Sequence, residues 1–107
     1  VFIAGQIGWD AQQQFHSDDF VEQTRQALQN ILHILAEAGG KPQHITRMVW
    51  YVVDKHEYIG SFKAIGAVYQ ELMGKHYPVM TAVEVSALIE DRAKVEIEAM
   101  AVLPVDT

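Results

Sequence analysis

The run Met48-Val49-Trp50-Tyr51-Val52-Val53 is apolar or aromatic at every position, and this constrains the fold more than any other feature of the chain. Along an extended strand successive side chains point to opposite faces, so Met48, Trp50 and Val52 face one side and Val49, Tyr51 and Val53 the other. A sheet built around this strand needs cover on both faces. Two helices are expected. In the first, Val21, Thr24, Leu28, Ile31, Leu35 and Ala38 recur at steps of three and four. Asp19 and Glu22 stand before it as an N-cap and its N3 carboxylate, and Gly39-Gly40 with Pro42 stops it. The second is expected from His56 or Glu57 to Gly74, turning Ile59, Phe62, Ile65, Tyr69, Leu72 and Met73 inward. Two such helices cover one face of a small sheet. The simplest cover for the other is a second copy of the chain, so a homo-oligomer is expected.

The remaining strands are expected at Val1 to Ile7, Val79 to Ser86 and Lys94 to Leu103, besides Ile45 to Val53. The stretch from Leu88 to Ala93 is short enough to suggest a hairpin between the last two. The order is β-α-β-α-β-β, an α+β chain with a mixed sheet, two helices packed on one face and helical crossovers of the kind that join parallel strands. At 107 residues, the whole of 1–107 is expected to be a single domain. Val1 already lies inside an apolar run, which leads one to expect further residues before it.

Charge and composition exclude several functions. The formal net charge is −6, and Arg25, Lys41, Arg47, Lys55, Lys63, Lys75, Arg92 and Lys94 are scattered singly. A surface built for nucleic acid clusters its cations, so no nucleic-acid partner is expected. There is no cysteine, which removes disulfides, thiolate nucleophiles and zinc–sulfur sites and fits a cytoplasmic location. The apolar runs are too short to cross a bilayer, so no membrane partner is expected. His56-Glu57 has no second histidine at helical spacing, and neither a phosphate-cradling glycine loop nor a Gly-x-Ser-x-Gly elbow is present. No metal and no cofactor are expected.

What remains is a set of residues with two readings each. Glu96 and Glu98 alternate with Val95 and Ile97, which suits either a solvated strand face or a carboxylate site. Gly5 before Gln6 is a bulge glycine or a point of close approach to a ligand. Trp9 either plugs the end of the sheet or walls a pocket. Tyr69 lies on the helical stripe, and His76 immediately precedes Tyr77-Pro78-Val79-Met80-Thr81.

Several segments together resemble one family: Ala4-Gly5-Gln6, Gln23 to Asn30 with Ala38-Gly39, Val49 to Asp54, Tyr69, Pro78, Val83-Glu84-Val85 and Val95-Glu96-Ile97-Glu98-Ala99. Their order and spacing resemble the RidA/YjgF (L-PSP) family of small trimeric imine and enamine deaminases. The resemblance implies a homotrimer with substrate clefts between neighbouring subunits, no cofactor and a small-molecule ligand. Carried across, Glu96 is the catalytic carboxylate that handles water. Gly5, Gln6, Trp9, Gly66, Tyr69, His76, Met80, Thr81 and Ala82 are the candidate substrate-binding residues. The chain departs from the family at four points: Ala4 replaces a serine, Gly66 an asparagine, Ala82 a cysteine and Met80 the arginine that clamps a substrate carboxylate. A hydrogen bond to a charged group contributes about 1.5–3 kcal/mol. Its loss at Met80 points away from a 2-imino acid toward an apolar or aromatic substrate, with Met80 and Trp9 as soft walls and His76 as a substitute donor. The implied function is hydrolytic deamination of an imine or enamine, the alternative a ligand-binding trimer without catalysis. A ribonuclease role is disfavoured by the acidic balance.

Overall fold

A computed structural model describes residues 1–105. The elements run β1 (Phe2–Ile7), α1 (Phe20–Glu37), a 3-10 turn (Pro42–His44), β2 (Ile45–Val52), α2 (Lys55–Gly60), α3 (Phe62–Met73), β3 (Val79–Glu84) and β4 (Val95–Ala101). This is an α+β fold with one four-stranded mixed sheet in the order β1-β4-β2-β3. β4 is antiparallel to both β1 and β2, while β2 and β3 are parallel.

Local chemistry sets the ends of α1. The Asp19 carboxylate accepts from the Glu22 amide at 3.0 Å, satisfying one of the free donors of the first turn. Gly39, at φ +84°, then carries the backbone through the left-handed region that a side chain disfavours. Leu28, Ile31 and Leu35 are fully buried against the sheet. Ala38, expected on the same stripe, is exposed because the helix has already ended at Glu37.

The expected hairpin is not formed. β2 lies between β3 and β4, so the last two strands never pair. The reason is burial: Val95, Ile97, Ala99 and Ala101 form an apolar row, and the site under α1 is beside β1, not at the far edge. The second helix is also not continuous. Ser61 ends α2 and begins α3, and Ile59 and Phe62, expected inward, are both 53% exposed at this break. Ile65, Tyr69 and Met73 are buried as the spacing requires, and Leu72 is half-buried.

Register divides the sheet into two faces. Met48, Trp50 and Val52 sit opposite Ala99, Ile97 and Val95 on the face covered by α1 and α3. Val49 and Tyr51 sit opposite Glu98 and Glu96 on the other face, where Thr81 and Val83 continue the row. No element of the described chain crosses this second face, and Phe2, Val79 and Val83 stand exposed around it.

Candidate functional site

On the open face the Glu96 carboxylate lies against β1. The register of β1 with β4 shifts between Ile3 and Gln6, a bulge that brings Gly5 over Glu96. A Cβ at Gly5 would stand 2.3 Å from Glu96 Oε2, so glycine leaves the space that the carboxylate occupies. The bulge reading of Gly5 holds, and the group that approaches it closely is the Glu96 side chain. Beside Glu96 is a cleft of about 220 Å³, floored by Tyr51, Glu96 and Glu98 and walled by Val85, Leu88 and Ile89 of the segment joining β3 to β4. The Tyr51 hydroxyl donates to Glu98 Oε1 at 2.5 Å. That hydrogen bond, the loss of solvent and the charges of Glu98 and Glu96 push the Tyr51 phenol above its ordinary range, with Arg47 opposing.

The Met80 group lies elsewhere. Met80 and Ala82 are register partners of Met48 and Trp50, which places them on the helix-covered face at the edge of the sheet. Met80, Gly66 and Tyr69 line a cleft of about 200 Å³ with Trp50, Tyr58 and Phe62. It is an aromatic notch: Tyr58 meets Phe62 edge to face at 4.9 Å, and Tyr69 stacks on Tyr77 at 5.5 Å. Nothing stands within 4 Å of a Cβ built on Gly66. The Tyr69 hydroxyl donates to the His76 carbonyl at 2.7 Å, and burial together with Tyr77 raises its phenol to about 12. His76 Nε2 is engaged by the Ile45 carbonyl at 2.8 Å, so that ring nitrogen is committed to the backbone and not to an anionic ligand.

Gln6 and Trp9 belong to a third place. Gln6 pairs with Ile97, so it points to the helix side although its neighbour Gly5 faces Glu96. With Trp9, Asn30 and His33 it lines a groove of about 430 Å³ along α1. Trp9 packs on Phe15 at 5.9 Å. Within one chain, then, Glu96 and Gly5 come together, as do Met80, Gly66 and Tyr69, while Gln6 and Trp9 stand apart from both. Thr81 faces the Glu96 side from the edge strand.

Two polar residues essential to this geometry carry no role in the sequence reading. Gln23, 1% exposed, donates to the carbonyls of Ser17 and Arg92 and accepts from the Lys94 amide at 2.8 Å. It thereby fastens the segment that walls the Glu96 cleft. Asn30 donates to the carbonyls of Ile7 and Trp9, fixing the end of β1. The available signal for Gln23 is its place one step before Thr24 on the apolar stripe, where a polar side chain has to find partners.

A single sheet with helices on one side and a carboxylate cleft on the other defines a class of small α+β proteins whose open sheet face carries the polar chemistry. The family model described as Endoribonuclease L-PSP matches residues 1–103. A RutC family protein of Pyrococcus horikoshii is 38% identical over 102 residues, covering 94% of this chain and 77% of that protein. A protein of Capra hircus named 2-iminobutanoate/2-iminopropanoate deaminase is 35% identical over 103 residues, covering 95% of this chain and 72% of its own. The crystal structure of Escherichia coli TdcF with bound serine superposes with a TM-score of 0.81 at 32% identity, over 96% of this chain and 80% of that one. The chain belongs to the RidA/YjgF (L-PSP) family. No helix of the described residues is long and apolar enough to cross a membrane.

Proposed function

We propose that this protein is a hydrolytic deaminase of a small-molecule imine or enamine, working in the cytoplasm as a homotrimer of single-domain chains. The observation that carries this reading is the Glu96 carboxylate, which lies under Gly5 and borders a cleft. A carboxylate so placed can accept a proton from water as the water oxygen attacks the C=N carbon. Return of that proton to nitrogen gives a carbinolamine, and transfer of the carbinolamine's hydroxyl proton to nitrogen as the C–N bond breaks leaves a carbonyl compound and ammonia. Gly5, Thr81 and Ala82 offer ligand contacts, and Gln6, Trp9 and Tyr69 shape or support the surrounding walls.

The Met80 and Glu96 groups lie on opposite faces of one sheet, so a site using both requires two copies of the chain. The bare face with exposed Phe2, Val79 and Val83 supports the same conclusion. On the family resemblance Met80 takes the place of an arginine that holds a substrate carboxylate, and the walls around it are aromatic. The substrate is therefore an uncharged or aromatic imine in place of a 2-imino acid. Ammonia release from a panel of freshly generated imines tests this. The uncharged and aromatic members should turn over, Glu96→Ala should abolish the release, and Met80→Arg should shift preference toward 2-aminoacrylate. A protein inert to every imine, with Met80→Arg inert as well, would leave the non-catalytic binding trimer as the better reading.

A further inference from the structure

Glu96 and Glu98 lie two positions apart on β4, so both carboxylates project from the same face. Two free carboxylates beside one ligand would compete for the same water or the same cationic nitrogen. The structure treats them differently. Tyr51 sits directly across from Glu96 on β2, yet its hydroxyl reaches diagonally to Glu98 and donates there at 2.5 Å. Diagonal neighbours across a strand pair are within reach of an aromatic side chain, and a hydrogen bond to a carboxylate is among the stronger ones. Glu96, by contrast, is confined sterically by β1 at Gly5.

We propose that Tyr51 is the positioning residue of this site: it holds Glu98 aside as a fixed acceptor, so that Glu96 alone acts on the bound imine and its water. This rests on the imine-hydrolysis reading above. The other groups facing Tyr51 and the two carboxylates do not supply such a restraint. Arg47, on the same face of β2, is paired in register with Met100 and borders the cavity on the far side of Glu98. β1 presents Gly5 and Phe2, β3 presents Val79, Thr81 and Val83, and the joining segment presents Val85, Leu88 and Ile89, none of them charged.

The test pairs a titration with kinetics. In the full-length protein, phenolate absorbance is followed against pH in wild type, Glu98→Gln and Glu96→Gln, with Tyr51→Phe identifying the Tyr51 signal. Removing the Glu98 charge should bring the Tyr51 phenolate in at lower pH, and removing Glu96 should move it the same way by less. For turnover, Tyr51→Phe keeps the ring and the fold but releases Glu98, so kcat should fall about tenfold with KM little changed. The double variant Tyr51→Phe/Glu98→Gln, which also removes the competing charge, should recover most of that loss. A merely structural Tyr51 would give no such rescue. The proposal is overturned if the Tyr51 titration ignores Glu98→Gln, if Tyr51→Phe turns over like wild type, or if the double variant is no better than the single. Should wild type release no ammonia from any imine, the deaminase reading falls and the role of Tyr51 in it falls too. The titration then still reports whether the Tyr51–Glu98 bond exists, so the two failures are told apart.

Discussion

At Gly5 the absence of one carbon decides whether the Glu96 carboxylate can stand where it does. Gly5→Ala would bring a methyl group 2.3 Å from Oε2, and the side chain end, not the backbone, would have to yield. Stability should change little while deamination falls about ten- to a hundredfold, since a displacement near 1 Å suffices for such losses. Thermal melting and ammonia release on the same sample check this, and a variant equally active would remove Gly5 from the site. Tyr69 offers a second residue-level outcome. Its phenol is raised to about 12 in the folded chain, so in the unfolded chain it ionises first, near its ordinary 10. The stability it contributes is complete below about pH 10 and is lost as pH climbs through 12. Tyr69→Phe should flatten the fall of the melting temperature across that interval. At neutral pH it should cost about 1 kcal/mol through the missing bond to the His76 carbonyl.

At the scale of elements, α1 is fixed to the site-bearing segment by Gln23. Gln23→Ala leaves the Ser17 and Arg92 carbonyls and the Lys94 amide without this partner in a partly buried place. The expected loss is about 3 kcal/mol, or roughly 10 °C or more in melting temperature for a domain of this size. Calorimetry showing less than a few degrees would mean that water takes over those groups. Asp19→Ala should cost about 1 kcal/mol by uncapping α1. The helix ends and faces are legible in the sequence because capping and periodicity are local: Asp19, Glu22, Gly39 and the Leu28-Ile31-Leu35 row act within a few residues. The pairing of β3 and β4 is not legible for the opposite reason. A short connection permits a hairpin, but the apolar row of β4 gains more burial between β1 and β2. The break at Ser61, with Phe62 left exposed, is likewise decided outside the periodic pattern.

At the scale of the whole molecule, the uncovered sheet face predicts an assembly. Val83→Glu places a charge on that face at its β3 edge, beside Tyr51. It should convert a trimer to single chains in light scattering and abolish turnover without loss of far-ultraviolet dichroism; a trimer that survives the substitution would place the contact elsewhere. If the Met80 and Glu96 groups meet only between copies, mixing refolded Met80→Trp and Glu96→Ala chains should restore about a quarter of the wild-type rate, because one site in four then receives both intact halves. Two halves within one chain would give no recovery from any mixture.

Strand alternation, helix spacing, caps and the family-bearing segments are written in neighbouring residues, and so the α+β class, the family and the outward Glu96 could be read from the chain itself. Which carboxylate is restrained, that Gly5 and Gln6 serve opposite faces, and that Met80 stands across the sheet from Glu96 were decided only on folding. Those relations join residues far apart in sequence, and their outcome follows from which arrangement buries the most apolar surface while leaving the fewest polar groups without partners.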